Sequence, residues 1–234
     1  MTYNLIGVGN NAKTVKGDGS EYVTAIMYLK PYKSVINGKI FNICAMAETA
    51  KCWKPCLNEA GRGQMNVVQR GRERKTILYF SDRIGFMDSL INDLTVFSRR
   101  QRKHGIQPCA RLDGTSDTGM GAKIATQFPE IQFYDYTKVI KRAYQDRPSN
   151  YHITLSYSEA NLDYAEQVLQ AVRDTGVNAA VVFRHKLPET FKGLPVVDGD
   201  KDDLRFLDPK GVIVGLIAKG KKAKADKSGF VIDC

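Results

Sequence analysis

The sequence predicts an α/β protein: a partial (β/α) barrel on a mostly parallel sheet, with a short antiparallel β region at its N-terminal end. Three observations predict it. From residue 75 onward, apolar strand-like runs alternate with amphipathic segments, as βα units do. Before residue 41, β-prone runs alternate instead with Gly, Asn and Asp turns. Polar clusters then follow the later strands directly, at 113–117, 135–138 and 156–159 and at Arg184 with His185. The C-terminal ends of parallel strands meet at one rim where ligands bind, which favours the barrel over an open doubly wound sheet.

In chain order, "YNLIGVG", "YVTAIMYLKPY" and "GKIFNIC" read as the antiparallel strands, with "NNAKTVKGDGS" as a turn. "KTILYF" is expected to open the βα series as a strand. Phe86, Leu90, Leu94 and Phe97 then recur at helical spacing, and the helix they predict ends in a basic turn before Gly105, where cations suit the C-terminal dipole. "IQPCARL" is the next strand and "GTSDTGMG" its turn. A short helix over 122–127 leads to the strand "IQFYDY" and to a basic helix ending near Gln145. After the strand "YHITLSY", Ser158 and Asn161 form an imperfect capping box for a helix that buries Leu162, Ala165, Val168, Leu169 and Val172. "VNAAVVF" and "GVIVGLI" close the series. The expected organisation is an N-terminal β region over 1–40, a Cys-rich loop over 41–74, the βα core over 75–218 and a basic tail over 219–234, all in one globular domain.

With 43% hydrophobic and 26% charged residues, the chain of 234 matches ordinary globular usage, which argues against a disordered or membrane-spanning protein. The longest apolar runs, such as 211–218, are far too short to cross a bilayer. No secretion signal is evident at the N-terminal end, so the reducing cytoplasm is the expected compartment. The formal charge of +10 gathers in 62–75, 99–103 and 219–227. Such an excess favours an anionic small molecule or nucleic acid as partner, although solvated helix faces and a solubilising tail give the same count. No phosphate loop, nucleophile elbow or His-Glu-x-x-His motif is present, so the common nucleotide hydrolase, esterase and metalloprotease classes drop away.

The cysteines are the most informative feature. In a reducing compartment, clustered thiols are metal ligands or reactive groups more often than disulfides, and five cannot all pair within one chain. Cys44, Cys52 and Cys56 fall within thirteen positions. Structural zinc wants four ligands, and no second cysteine pair follows; His104, His152 and His185 are distant in sequence. An iron–sulfur cluster on three thiolates needs no fourth protein ligand when an outside molecule binds the remaining iron. The cluster is therefore the leading reading, with zinc and uncomplexed thiols as alternatives. Met46, Trp53 and Pro55 supply apolar cover. The glycines of "NEAGRGQM" either turn N–H groups toward sulfur or an anion, or simply end a helix. Cys109 reads as core and Cys234 as tail.

After a strand, "RLDGTSD" places Asp113, Thr115, Ser116 and Asp117 where they could hydrogen-bond a ribose, an amine or a hydroxyl, or merely close an Asx-type turn. "FYDYTK" offers Asp135 and Lys138 in the same way. Arg111 and Arg184 at strand ends could bind a carboxylate or phosphate, or form surface ion pairs. "DGDKDDLRFLDP" gathers five aspartates, but without the glycine and glutamate placement of a calcium loop; a helix cap is the simpler reading.

The three cysteines with "GRG" and "VVQRGRERKT", together with "NAKT", "RLDGTSD", "FYDYTK" and "LPVVDGDKDDLRFLDPKGVIVGLIAKG", resemble a family of uncharacterised bacteriophage proteins over most of the chain. That resemblance implies a phage-encoded protein in the host cytoplasm. More loosely, three cysteines in a loop ahead of a βα series are similar to the radical S-adenosylmethionine enzymes, though spaced more widely than is usual there. This second resemblance implies a [4Fe-4S] cluster on Cys44, Cys52 and Cys56, with S-adenosylmethionine on the open iron. Asp113, Thr115, Ser116, Asp117 and Arg184 would then be the cofactor-binding residues. Two other readings stand beside it. One is a non-catalytic nucleic-acid-binding module gripping phosphates through Arg70, Arg72, Arg74 and Lys75. The other is a phage–host interaction protein with ordinary thiols.

Overall fold

A computed structural model describes residues 4–9 and 21–234, which fall into two compact units. The first unites Met1–Ile43, Asn66–Asp135 and Arg147–His152; the second unites Cys44–Met65, Tyr136–Asp146 and Ile153–Cys234. The turn expected over 10–20, including "NAKT", lies outside the described residues.

In the first unit β1 (Ile6–Val8) lies antiparallel to β2 (Tyr22–Met27). The hairpin of β3 (Lys33–Ile36) and β4 (Lys39–Asn42) turns at Asn37-Gly38, with φ of 49° and 74°, the left-handed pair that a two-residue hairpin requires. Two helices follow, α1 (Asn66–Ser81) and α2 (Arg83–Lys103). Then come β5 (Gln107–Arg111), the short α3 (Met120–Ile124) and β6 (Gln132–Thr137). Strand β5 runs parallel to both β2 and β6. Thus β2, expected in an antiparallel preamble, also joins the parallel sheet.

On α2, Phe86, Leu90, Leu94 and Phe97 are all fully buried, as their spacing predicts. "KTILYF" is a correction: it lies in α1, not in a strand. The buried positions of α1 are Arg72, Thr76 and Tyr79, a helical spacing carried mostly by polar side chains. The Arg72 guanidinium lies 4.6 Å over the Tyr28 ring, and Thr76 Oγ1 accepts from the Lys30 backbone at 2.7 Å. A search for apolar periodicity sees only the end of this helix.

The segment between α3 and β6 is held by one side chain. Asn150 Nδ2 donates to the carbonyls of Ala125, Phe128 and Ile131 at 2.9–3.0 Å, while its own carbonyl accepts from Phe133 N at 2.8 Å. Asn150→Ala is expected to cost about 1–3 kcal/mol, because three carbonyls lose their shared donor. A change in the urea midpoint below the equivalent of about 0.5 kcal/mol would show that water replaces the amide.

The second unit contains β7 (Tyr151–Ser156) from Ile153 onward, α4 (Leu162–Thr175), β8 (Asn178–Phe183), β9 (Thr190–Phe191), β10 (Leu194–Asp198), β11 (Ile213–Ile217), α5 (Lys221–Lys224) and β12 (Val231–Ile232). Its strand order is β7-β8-β11-β10-β9, parallel except for β9, and β12 also pairs in parallel with the end of β8. Asn161, not Ser158, caps α4, its Oδ1 accepting from Tyr164 N at 2.9 Å. Leu162 is 73% exposed and Tyr164 takes the buried place expected of it. The basic helix expected to end near Gln145 is only a 3₁₀ turn, Ile140–Ala143.

The fold is thus mixed α/β, with a mostly parallel central sheet and a short antiparallel one; no closed barrel is seen among the described residues. No helix among them is long and apolar enough to cross a membrane.

Candidate functional site

The cysteine segment belongs to the second unit, where Cys44–Met65 forms a chain of turns ending in two 3₁₀ helices, Leu57–Glu59 and Gly61–Gln64. Local bonds run from Ala47 N to the Cys44 carbonyl at 3.0 Å and from Ala50 N to the Met46 carbonyl at 3.0 Å, and both alanines are buried. Ser158 Oγ, just after β7, donates to the Ala50 carbonyl at 2.8 Å and so ties the segment to a strand end. Gly63 is required by a close approach: a Cβ there would sit 2.7 Å from the Asn58 carbonyl oxygen.

Cys44, Cys52 and Cys56 are not joined by a disulfide, and all three are half-buried. Cys52 Sγ lies 4.0 Å from the Ala47 carbonyl. Among the described residues, no three His, Cys, Asp or Glu side chains gather into a group that could hold a metal ion. Half-buried sulfur donors are the right chemistry for iron or zinc, but these three are not drawn together here. Of the expected cover, Pro55 is buried while Trp53 is 40% exposed, with Lys54 over its ring. Cys109 is buried in β5, its thiol pushed up to about 12 by desolvation, and Cys234 is exposed.

In the first unit, the turn after β5 is organised by Asp113. This buried carboxylate accepts from Ser116 Oγ at 2.6 Å, Thr118 N at 2.9 Å, Thr118 Oγ1 at 2.9 Å and Gly119 N at 2.8 Å. Its own backbone N–H donates to Asp135 Oδ1 at 2.7 Å. Asp135 is buried, and its Oδ2 has no hydrogen-bond partner among the described residues. Desolvation first, and the Asp113 charge second, push its carboxyl well above the usual range. Gly121 closes over it, since a Cβ there would lie 2.9 Å from Asp135 Oδ2. Thr115 Oγ1 donates to the Leu29 carbonyl at 2.6 Å, and Asp117 stays half-buried, its backbone N–H bonded to the Ile43 carbonyl.

Arg184 at the end of β8 holds the C-terminal segment. Its Nε pairs with Asp233, its Nη1 donates to the Lys224 carbonyl and its Nη2 to the Asp226 carbonyl. The hydrogen bond from Arg184 holds the Asp233 carboxyl below its ordinary range. An open hollow of about 620 Å³ lies there, lined in part by Glu159, Arg184, Lys224, Lys227 and Asp233. Lys138, the other candidate of "FYDYTK", lies 5.6 Å over the Phe230 ring.

Three organising residues escaped the sequence. Thr118 and Gly119 complete the Asp113 turn, and their signal was an aspartate followed by a Ser/Thr/Gly run longer than the turn needs. Asp226 is buried and accepts from Ser228 Oγ at 2.9 Å and Val231 N at 3.2 Å, shaping the approach to β12; its Asp-x-Ser spacing lay hidden in a lysine-rich stretch.

No curated protein and no solved structure matches the chain. The family model described as Gene product 88 matches residues 4–234. That span covers nearly the whole chain, which therefore belongs to the Gene product 88 family, a phage-type family.

Proposed function

We propose that the protein carries an iron–sulfur cluster on Cys44, Cys52 and Cys56, with one iron left for an outside molecule. The observation that carries this reading is the trio itself: three half-buried cysteines, none in a disulfide, on one thirteen-residue segment that also lacks a histidine. Soft sulfur donors on a turn-rich loop suit cluster assembly, and the loop would have to close around the metal as it binds. A bound [4Fe-4S] cluster would supply an electron and a coordination position. S-adenosylmethionine is the molecule this reading implies for that position, on a partial-barrel rim. Of the residues proposed to contact it, Thr115 and Asp117 keep partial exposure, whereas Asp113 and Ser116 bond each other and Arg184 is engaged with the tail.

Anaerobic reconstitution with ferrous iron and sulfide tests the assignment. The native chain is expected to take up about four irons and four sulfides and to gain visible charge-transfer absorption. A Cys44→Ser/Cys52→Ser/Cys56→Ser variant should lose both, while Cys234→Ser should keep them. Iron retained by the triple variant, or zinc bound by the native chain in preference to iron, would remove the proposal. S-adenosylmethionine should then alter the electron paramagnetic resonance spectrum of the reduced cluster; an unchanged spectrum would separate the cluster from radical chemistry.

A further inference from the structure

The basic side chains of the first unit divide by what they touch. This unit holds seventeen of the lysines and arginines against ten aspartates and glutamates, so most of the chain's positive excess resides in it. Several of these cations are spent on structure. Arg72 lies over Tyr28 and Arg83 over Tyr79, Lys30 pairs with Glu73, Arg111 is buried, and Lys75 donates to the Leu5 carbonyl at 2.6 Å. Burial lowers the Lys75 ammonium below its ordinary value. Of the four α1 residues read from the sequence as a phosphate grip, only Arg70 and Arg74 therefore remain exposed.

The last turn of α2 is different. Arg99, Arg100, Arg102 and Lys103 are all exposed, flanking the buried Ser98 and Gln101, and none of the four makes an ion pair or side-chain hydrogen bond among the described residues. One or two cations would satisfy the helix dipole. Four cannot be explained by stability, because Arg99 faces Arg102 and Lys103, and Arg100 faces Lys103, at the i,i+3 and i,i+4 spacings where like charges repel. A dense row of unpaired, mutually repelling cations is relieved by a polyanion.

We propose that this turn is a docking surface for the phosphate backbone of double-stranded nucleic acid. A lipid surface fits less well, because the strongly exposed large apolar side chain of this helix, Ile84, lies at its opposite end. Single strands are gripped on stacking aromatic platforms. The exposed aromatic residues among those described, Trp53 and Tyr144, belong to the other unit. The duplex backbone asks only for cations at spaced positions and carries no sequence information.

The test is a titration of a short random-sequence DNA duplex at several salt concentrations, with protein as purified and again after iron reconstitution, since the surface does not depend on the cluster. Four phosphate contacts at about −0.9 each predict that affinity falls roughly 10²-fold between about 50 and 200 mM salt. An Arg99→Ala/Arg100→Ala/Arg102→Ala/Lys103→Ala variant should flatten the slope of log K against log salt by about 3–4. Removing the same number of charges at Lys221, Lys222, Lys224 and Lys227 should change it by less than about 1. A thermal melt confirms that each variant is folded, and if the quadruple change unfolds the chain, Arg100→Gln with Lys103→Gln should still flatten the slope by about 2. No duplex binding at about 50 mM salt, an unchanged slope in the α2 variant, equal loss in both variants, or binding of anionic phospholipid vesicles in place of the duplex would each overturn the proposal.

Discussion

Asp113→Ala is expected to destabilise the first unit by about 3–5 kcal/mol. Each donor left without an acceptor costs about 1–3 kcal/mol. The hydroxyls of Ser116 and Thr118 can rotate toward water, but the N–H groups of Thr118 and Gly119 are fixed by the turn and aim at the missing oxygens. In a chain of this size the loss corresponds to roughly 6–20 °C in the melting temperature. Asp113→Asn keeps an acceptor and should cost about half as much. The contrast lies with Asp135, whose carboxyl burial pushes well above its usual range and which uses only Oδ1 as an acceptor, for Asp113 N; an amide keeps that acceptor, so Asp135→Asn should stay within about 1 kcal/mol of the native chain. Melting curves of the three variants decide the matter. If Asp113→Ala melts within 2 °C of native, the carboxylate is not what holds the turn and is free for a ligand. If Asp135→Asn is the more damaging change, the turn depends on the Asp135 carboxyl more than on Asp113.

This turn also marks how far the sequence alone could be followed. "RLDGTSD" was legible as a polar turn after a strand, because apolar residues end there and short polar ones begin. Whether its side chains faced a ligand or each other was not, since that depends on Asp135, twenty-two positions away and brought alongside only by β5–β6 pairing. Helix α2 was legible from four apolar residues at one spacing. Helix α1 was not, because the face it buries is Arg72, Thr76 and Tyr79, whose environment is made by Tyr28 and Lys30 of another segment. The cysteine trio could be read as a set of donors from spacing alone. Their separation could not, because the turns of Cys44–Met65 that keep the three thiols from forming one group are not set by spacing.

Arg205 carries the second large effect. It is fully buried, its Nη2 donating to the Asp202 carbonyl at 2.8 Å and to Asp202 Oδ1 at 3.1 Å. Its Nε lies 3.3 Å from Asp208 Oδ2, near enough to pair but not aligned as a hydrogen bond. Its Nη1 fills the space that Gly199 leaves: a Cβ there would lie 2.6 Å away. Removing the cation strands two half-buried carboxylates, so Arg205→Met is expected to cost about 3–5 kcal/mol. The double change Arg205→Met/Asp208→Asn should recover a large part of that, because the group left uncompensated is removed with its partner. Acid gives an independent readout. Burial pushes Asp208 up to about 6, against the opposing pull of Arg205, so the folded chain holds this proton more tightly than the unfolded chain does. Its contribution is therefore fully present below about pH 4 and is lost as pH rises through about 6. Urea unfolding of the native chain should carry a stability component that declines across that window, and Asp208→Asn should abolish it. In Arg205→Met the pull of the cation is gone, so the decline should extend above pH 6. A window that moves to lower pH in Arg205→Met would mean that burial, rather than the guanidinium, is what the substitution relieved.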